Sequence, residues 1–257
     1  MCFEFDARPP APPSELLLPP IAGSAGAELL ELTSADGTRF SAAIAESSQA
    51  RGGVVILPDI RGLYPFYMEL AERFAQAGHH AIAFDYFGRT AGLGPRGEEF
   101  EYRPHVEQLT VPGVEDDLKA AADALRERTG VSSPATVGFC LGGFLSFMAA
   151  TDVPGLAAAV GFYGILGPRF GVAGPIERAA DMRCPVLGLF GGADRAIPVE
   201  DVERFDQALC EAEVEHEVHV YPGAPHSFFD RRFEEHAEAS EDAWRRMLEF
   251  LDRHAAA

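Results

Sequence analysis

A thiol, a carboxylate and an imidazole at Cys140, Asp194 and His226 form a set that could carry out nucleophilic catalysis. Cys140 lies in segment 138–143, GFCLGG, after a β-branched run and before an apolar stretch. This order of strand, sharp turn and helix is typical of the nucleophile elbow G-x-S-x-G, here with cysteine instead of serine. The adjacent helix N-terminus favours the reactive thiolate. The sequence therefore predicts a cysteine nucleophile. The alternative, a small buried thiol in a glycine-rich turn, fits the same residues.

Asp194 and His226 each follow an apolar strand-like run, at 185–190 and 217–221. The carboxyl ends of parallel strands meet at one rim of a sheet, so all three residues are expected there. Their order along the chain, nucleophile then acid then histidine, is that of α/β-hydrolases. One imidazole can accept the thiol proton and return it to a leaving group, while the carboxylate fixes the ring tautomer. Alone, each residue could belong to an ordinary turn or loop; the joint pattern favours a triad.

Alternating apolar strands and amphipathic helices from residue 53 onward indicate how these residues are positioned. They predict a single α/β domain over 1–257, in which a mostly parallel sheet of about eight strands carries helices on both faces. Together with the order of the three site residues, this favours an α/β-hydrolase fold. Residues 1–26 are proline-rich and predict an extended lead-in. The glycine-rich stretch 90–111 predicts a loop over the site. The closing helix is expected to be capped by Ser240.

Two strands around a turn, 27–32 and 39–45, predict a hairpin at the sheet edge. A helix is expected from Pro112 to Gly130, where proline marks the start and glycine the end.

The composition limits the classes of molecule that are expected to bind this protein. Lysine and arginine total 21 against 40 acidic residues, and this net charge of −19 argues against nucleic acid and anionic membranes as partners. No apolar run approaches the roughly 18 residues that cross a bilayer, so the chain is expected to be soluble. The N-terminal residues lack the basic and apolar regions of an export signal, which predicts a cytoplasmic protein. A monomer or small homo-oligomer is expected.

The four cysteines, Cys2, Cys140, Cys184 and Cys210, are widely spaced and form no C-x-x-C pair. This spacing predicts free thiols in a reducing compartment and argues against zinc. Cys184 and Cys210 are expected to serve packing rather than chemistry.

Three motifs, 138–143, 192–194 and 226–228, resemble the cysteine elbow, acid loop and histidine loop of the dienelactone hydrolase family, the carboxymethylenebutenolidases. The resemblance extends over about residues 27–253, and the cysteine elbow is its most specific part because most α/β-hydrolases carry serine there. It implies hydrolysis of an enol-lactone through an acyl-cysteine intermediate. The implied partner is a small-molecule ester or lactone, with no metal or organic cofactor.

Further site residues follow from matching this family position by position. Asp59 stands where members carry a glutamate that contacts the thiol and helps to deprotonate it; its side chain is shorter by one C–C bond, roughly 1.5 Å. The backbone N–H groups of Ile60 and Leu141 match the two oxyanion donors. Arg89 matches an arginine that binds the substrate carboxylate, a role that suits a forked guanidinium. Alternatively, Asp59 caps the following helix and Arg89 pairs with a surface carboxylate.

The chain departs from the family four residues after the histidine, where a second carboxylate-binding arginine is replaced by Asp230. Arg231 follows, and a one-residue adjustment of the loop would give it that role. The acyl specificity is therefore left open.

Other functions remain as alternatives. A carboxylesterase or thioesterase of different acyl specificity fits the same triad. A glutaminase-type amidotransferase also uses a cysteine elbow but needs a His-x-Glu dyad, which 226–228 do not supply. The departures at Asp59 and Asp230 keep open a catalytically silent hydrolase fold that binds a ligand.

Overall fold

A single eight-stranded sheet organises the computed structural model, which describes residues 7–18, 26–94, 96–230 and 233–255. The spatial order is β1-β2-β4-β3-β5-β6-β7-β8, and every neighbouring pair from β4 to β8 is parallel, whereas β2 is antiparallel to both of its neighbours. This is the predicted α/β-hydrolase architecture. The strands are β1 Glu28–Thr33, β2 Arg39–Ala45, β3 Gly52–Leu57, β4 His79–Phe84, β5 Ala135–Phe139, β6 Ala159–Phe162, β7 Val186–Gly191 and β8 His216–Tyr221.

Seven α-helices connect or follow these strands in the described ranges. They are α1 Pro65–Gln76, α2 Gly88–Ala91, α3 Arg103–Val106, α4 Val111–Thr129, α5 Leu141–Asp152, α6 Val199–Glu211 and α7 Ala237–His254. None of the helices in this part of the chain combines the length and apolar composition needed to cross a bilayer.

Alternating side chains on the central strands build two cores, one on each face of the sheet. On β3, Val54 and Ile56 join the core that contains α1 and α7. Val55 and Leu57 join the core that contains α4. All four are fully buried, which explains why a parallel strand covered on both faces is a continuous apolar run in the sequence.

The register of the parallel strands brings their carboxyl ends to one rim. Leu57 on β3 lies opposite Gly138 on β5, and Gly138 lies opposite Gly161 on β6. Gly161 in turn lies opposite Gly188 on β7. The loops that follow these four strands therefore begin at one level of the sheet.

Predictions that depend on one short segment of sequence are confirmed for the edge hairpin and for helix α4. The predicted edge hairpin is β1–β2. Helix α4 begins after Thr110, whose hydroxyl accepts the Gly113 N–H, and ends at Gly130 with φ of 81°. The predicted cap of α7 was wrong: the helix begins at Ala237, and the Ser240 hydroxyl instead donates to the Phe228 carbonyl over 3.1 Å.

Residues 7–18 and the described residues of loop 90–111 contain little regular structure. The loop includes α3 and the end of α2, and its Arg96 is buried against Asp85, with Nε 2.9 Å from Oδ2. In the lead-in, residues 7–18 contain one 3-10 turn at Ser14–Leu16, and the Pro10 carbonyl accepts the Trp244 indole N–H over 3.1 Å.

Candidate active site

Cys140 occupies the turn between β5 and α5 with φ of 55° and ψ of −109°. A residue other than glycine rarely adopts a positive φ, and one that does needs its surroundings to hold it there. Here its N–H donates to the Phe162 carbonyl over 3.0 Å, and the side chain is partly buried against the core. The elbow conformation that the sequence predicts is present, with the cysteine at its tip.

Two glycines allow three backbone segments to meet at this elbow. A Cβ on Gly138 would collide with the Gly142 carbonyl, and one on Gly142 would collide with the carbonyls of Leu57 and Pro58. The end of β3 therefore runs directly beside the first turn of α5. This packing brings the segment after β3, which contains the predicted site residues Asp59 and Ile60, to the elbow.

The predicted oxyanion donors are backbone N–H groups of Ile60 and Leu141. Leu141 is the first residue of α5, so its N–H has no partner within the helix. Neither group donates a hydrogen bond to any residue in the described ranges. Both amides can therefore donate to a ligand.

Asp194 and His226 are brought together, as predicted. The Asp194 carboxylate, only 1% exposed, holds Oδ2 2.6 Å from His226 Nδ1, and its Oδ1 accepts the Ala196 N–H over 2.8 Å. Their loops are joined by a hydrogen bond from the Ala193 N–H to the Ala224 carbonyl, 2.9 Å. Since the carboxylate engages Nδ1, it favours the tautomer in which Nε2 can accept a proton. The imidazole stays 27% exposed.

Asp59 is fully buried and organises its own loop. Its Oδ1 accepts the Arg61 N–H over 2.9 Å, and its Oδ2 lies 3.8 Å from Arg61 Nε. Its N–H donates to the Tyr67 hydroxyl over 2.9 Å, and burial, followed by the Asp59 charge, raises the pKa of Tyr67 well above its usual value. Helix α1 starts after Tyr64, so Asp59 is not its cap.

Arg89 lies in an ion-pair network and has no described contact with Cys140, Asp194 or His226. Its Nη2 is 2.9 Å from Asp117 Oδ1, and its Nε is 3.0 Å from both Asp117 Oδ2 and the Gly113 carbonyl. Nη1 bonds Asp36 and, over 3.3 Å, Thr38. All three guanidinium nitrogens are thus engaged. The substrate-binding role stays a prediction that these contacts do not support.

Two residues near the site were not anticipated from the sequence. Asp85, at the end of β4, accepts the N–H groups of Leu63 and Phe87 over 3.3 and 3.4 Å and pairs with Arg96. Burial raises the pKa of Asp85 against the opposing effect of Arg96. Tyr163, after β6, donates its hydroxyl to Asp230 over 3.0 Å. The Leu63–Asp85 and Tyr163–Asp230 bonds join residues 22 and 67 positions apart in the chain, so no local motif predicts them.

Arg231, the predicted second carboxylate-binding residue, lies outside the described residues, as does Cys2. Cys184 is buried, as predicted, and burial raises the pKa of its thiol to about 12, which makes it unreactive. The packing role predicted for Cys210 was wrong, because it is exposed on α6. Within the described ranges, no three histidine, cysteine, aspartate or glutamate side chains cluster as a metal site.

Comparisons with known proteins agree with the sequence resemblance. The profile of the "Dienelactone hydrolase family" matches residues 40–255. A "Putative carboxymethylenebutenolidase" of Yersinia pestis is 34% identical over 234 residues, covering 85% of each chain. A protein of the same name from Escherichia coli K12 is 34% identical over 211 residues, covering 78% of this chain and 76% of that one.

Solved structures show the same fold. A "Putative Dienelactone Hydrolase" from Klebsiella pneumoniae superposes with a TM-score of 0.73 at 30% identity, covering 86% of this chain and 97% of that one. A dienelactone hydrolase-like promiscuous phosphotriesterase from metagenomic libraries gives 0.72 at 23% identity, covering 90% of this chain and 99% of that one, and supports the fold alone.

Proposed function

Because this chain belongs to the dienelactone hydrolase family, we propose that it cleaves a small ester or lactone through a Cys140–His226–Asp194 triad. The observation that carries the proposal is the pairing of a cysteine held at an elbow with a buried Asp194–His226 hydrogen bond of 2.6 Å. Both features lie on the same rim of the sheet, where loops of this fold carry chemistry.

Acylation begins when His226 Nε2 accepts the Cys140 thiol proton and the thiolate sulfur attacks the acyl carbon. A C–S bond forms, and the carbonyl oxygen becomes an oxyanion that accepts hydrogen bonds from the N–H groups of Ile60 and Leu141. When this intermediate collapses, the C–O bond to the leaving group breaks. The imidazolium then gives its proton to the departing oxygen, which in a lactone stays tethered to the acyl group.

Deacylation repeats these steps with water. His226 takes a proton from water, the hydroxide oxygen attacks the thioester carbon, and the C–S bond breaks. The imidazolium proton returns to the Cys140 sulfur, and the carboxylic acid leaves. Asp194 stabilises the imidazolium in both halves of the reaction because its buried carboxylate faces Nδ1.

Asp59 enters the proposal as the residue that helps to activate the thiol, in place of the family glutamate. Its support is its position at the end of β3, where the close approach of Leu57 to Gly142 brings its loop to the elbow. The acyl group is left undefined.

The test is hydrolysis of a panel of p-nitrophenyl esters, thioesters and dienelactones by the purified protein and by Cys140→Ala. We expect turnover by the wild type and loss of at least about a thousandfold in kcat for the variant, since a nucleophile contributes on that scale. Electrospray mass spectrometry after a rapid quench should show one acyl adduct that maps to Cys140.

Cys184→Ala is the matched control, because that thiol is buried and unreactive. Its kcat should equal the wild-type value. Unchanged turnover in Cys140→Ala would refute the nucleophile assignment. No turnover of any substrate by a folded wild type, with saturable ligand binding instead, would favour the silent ligand-binding alternative.

A further inference from the structure

Tyr163 occupies the first position after β6 with φ of 38°, an unfavourable conformation for a residue with a bulky side chain. It is held there on several sides. Its N–H donates to the Leu189 carbonyl on β7 over 2.9 Å, and the fully buried ring packs against Phe139 and Phe228. Strain of this kind persists where the surroundings determine the conformation, and it is concentrated near functional sites.

The side chain of Tyr163 contacts both ends of the turn 226–230. Its ring lies against the His226 imidazole, with centroids 4.9 Å apart and planes inclined by 56°. Its hydroxyl donates to Asp230 Oδ2 over 3.0 Å, and Asp230 is only 1% exposed. One residue anchored on the sheet therefore touches the imidazole and also secures the turn that carries it.

The turn itself is tightly bent. Ser227 has φ of 60°, and the Asp230 N–H donates to the Ser227 carbonyl over 3.3 Å. The Asp194 bond fixes where Nδ1 points, and the direction of Nε2 then depends on rotation of the ring about that contact. A ring packed against the imidazole restricts this rotation, and with it the direction of Nε2.

We propose that Tyr163 is a positioning residue for His226: its hydroxyl holds the turn 226–230 through Asp230, while its ring fixes the plane of the imidazole. The proposal rests on the function proposed above, in which Nε2 must reach the Cys140 thiol. Small errors in the direction of a general base cost rate more than they cost substrate binding.

Tyr163→Phe keeps the ring and removes the hydroxyl. We expect kcat on the best ester of the panel to fall about tenfold, with KM within about twofold of wild type, because a hydrogen bond to a charged acceptor is lost. A second readout needs no substrate: the Nδ1 proton of His226, seen downfield in proton NMR, should broaden or exchange faster. Tyr163→Leu removes the ring too and should lose about a hundredfold in kcat.

Tyr221→Phe is the matched control. Tyr221 also donates its hydroxyl to an aspartate, Asp242, over 3.0 Å, and its ring packs against Phe228, but it has no described contact with His226. This variant should keep the wild-type kcat and NMR signal. If Tyr163→Phe does not fold, Asp230→Asn, which keeps an acceptor oxygen, should retain kcat within about threefold, whereas Asp230→Leu should lose about tenfold.

The proposal would be overturned if Tyr163→Phe kept both the wild-type kcat and an unchanged Nδ1 signal. Equal losses of kcat in Tyr163→Phe and Tyr221→Phe would also overturn it. So would equal kcat values in the two Asp230 variants. Failure of the proposed function is a separate outcome. It would appear as a wild type that hydrolyses nothing, while the NMR comparison still tests whether Tyr163 positions the ring.

Discussion

Two aspartates, Asp194 and Asp117, each hold a basic side chain, but they hold it in different ways. Asp194 bonds one nitrogen of His226 and leaves the imidazole 27% exposed. Asp117 bonds two nitrogens of Arg89, while Asp36, Thr38 and a backbone carbonyl complete the set. Both bases follow strands at the same rim, and both were predicted as site residues.

The difference shows what separates the proposed catalytic pair from a structural one. His226 keeps an edge of its ring directed away from its carboxylate, and imidazole can change protonation near neutral pH. Arg89 stays charged at all ordinary pH values, and each of its nitrogens already has an acceptor. Pairing with Arg89 and Thr38 lowers the pKa of Asp36 to about 2, so the Asp36–Arg89 ion pair persists even in mild acid.

The largest effect that would test this comparison is expected for Asp194→Asn. The carboxamide keeps the shape but can donate to Nδ1, which favours the wrong tautomer and leaves the imidazolium without a counter-charge. We expect kcat to fall about 10⁴-fold, as such a substitution does in serine triads. Steady-state kinetics and a melting curve measure it; Asp201→Asn, on the exposed start of α6, is the control. A loss below tenfold would place Asp194 outside the catalytic machinery.

Arg89→Met is expected to affect stability instead of rate. Removing the guanidinium leaves the buried Asp117 carboxylate without its counter-charge, which should cost about 3 kcal/mol in the free energy of unfolding. kcat/KM should remain within about twofold of wild type. Urea denaturation and ester kinetics test both statements.

Arg39→Met is the matched control for Arg89→Met, because the Arg39–Glu31 pair is exposed on both sides and should contribute at most about 1 kcal/mol. A different result would restore the substrate-binding role predicted for Arg89. In that case the KM of Arg89→Met would rise only for esters bearing a carboxylate, and its stability would be unchanged.

The Asp194–His226 and Asp117–Arg89 pairs also show which features can be predicted from the sequence and which cannot. The sheet, its helices and the elbow were predictable because each depends on a local pattern, such as the apolar run of β3 or the glycines beside Cys140. The Asp194–His226 pair was predictable because the fold brings the ends of β7 and β8 side by side.

The environment of Arg89 was not predictable, since its partners lie 53 and 28 residues away in sequence and belong to a turn and a helix that no motif connects. Tyr163 and Ser240 were missed or misassigned for the same reason. A hydroxyl that bonds a distant carbonyl has the same local sequence as one that caps a helix.

Glu115 on α4 extends the comparison to a buried carboxylate that, in the described part of the chain, accepts fewer hydrogen bonds than Asp194 or Asp117. It is 8% exposed, and its Oε1 accepts no hydrogen bond from the described residues. Burial, aided by the nearby Asp152 charge, raises its pKa from 4.5 to about 7. The folded state therefore binds this proton more tightly than the unfolded state, and stability falls as pH rises from about 4.5 to about 7.

Glu115→Gln removes this penalty. At about 1.4 kcal/mol per pKa unit, the variant should exceed wild type by about 3 kcal/mol at pH 8 and match it near pH 4.5. Urea unfolding at both pH values measures the difference. Glu127→Gln, an exposed residue of the same helix, should show no such pH dependence. A constant offset at both pH values would mean that packing, and not ionisation, separates the two proteins.

The smallest effect concerns how firmly the turn 226–230 is tied to the rest of the molecule. Ser240 on α7 is buried and donates its hydroxyl to the Phe228 carbonyl, so Ser240→Ala should cost about 1 kcal/mol of stability. Since Phe228 lies two residues after His226, kcat should also fall, by about twofold to threefold. Ser146→Ala provides the contrast, because its equally buried hydroxyl bonds Thr136 over 2.8 Å, away from this turn. A similar stability loss in both variants, with a slower kcat only in Ser240→Ala, would show that the turn must be held as well as formed. Equal kcat values would confine the sensitive contacts of His226 to Asp194 and Tyr163.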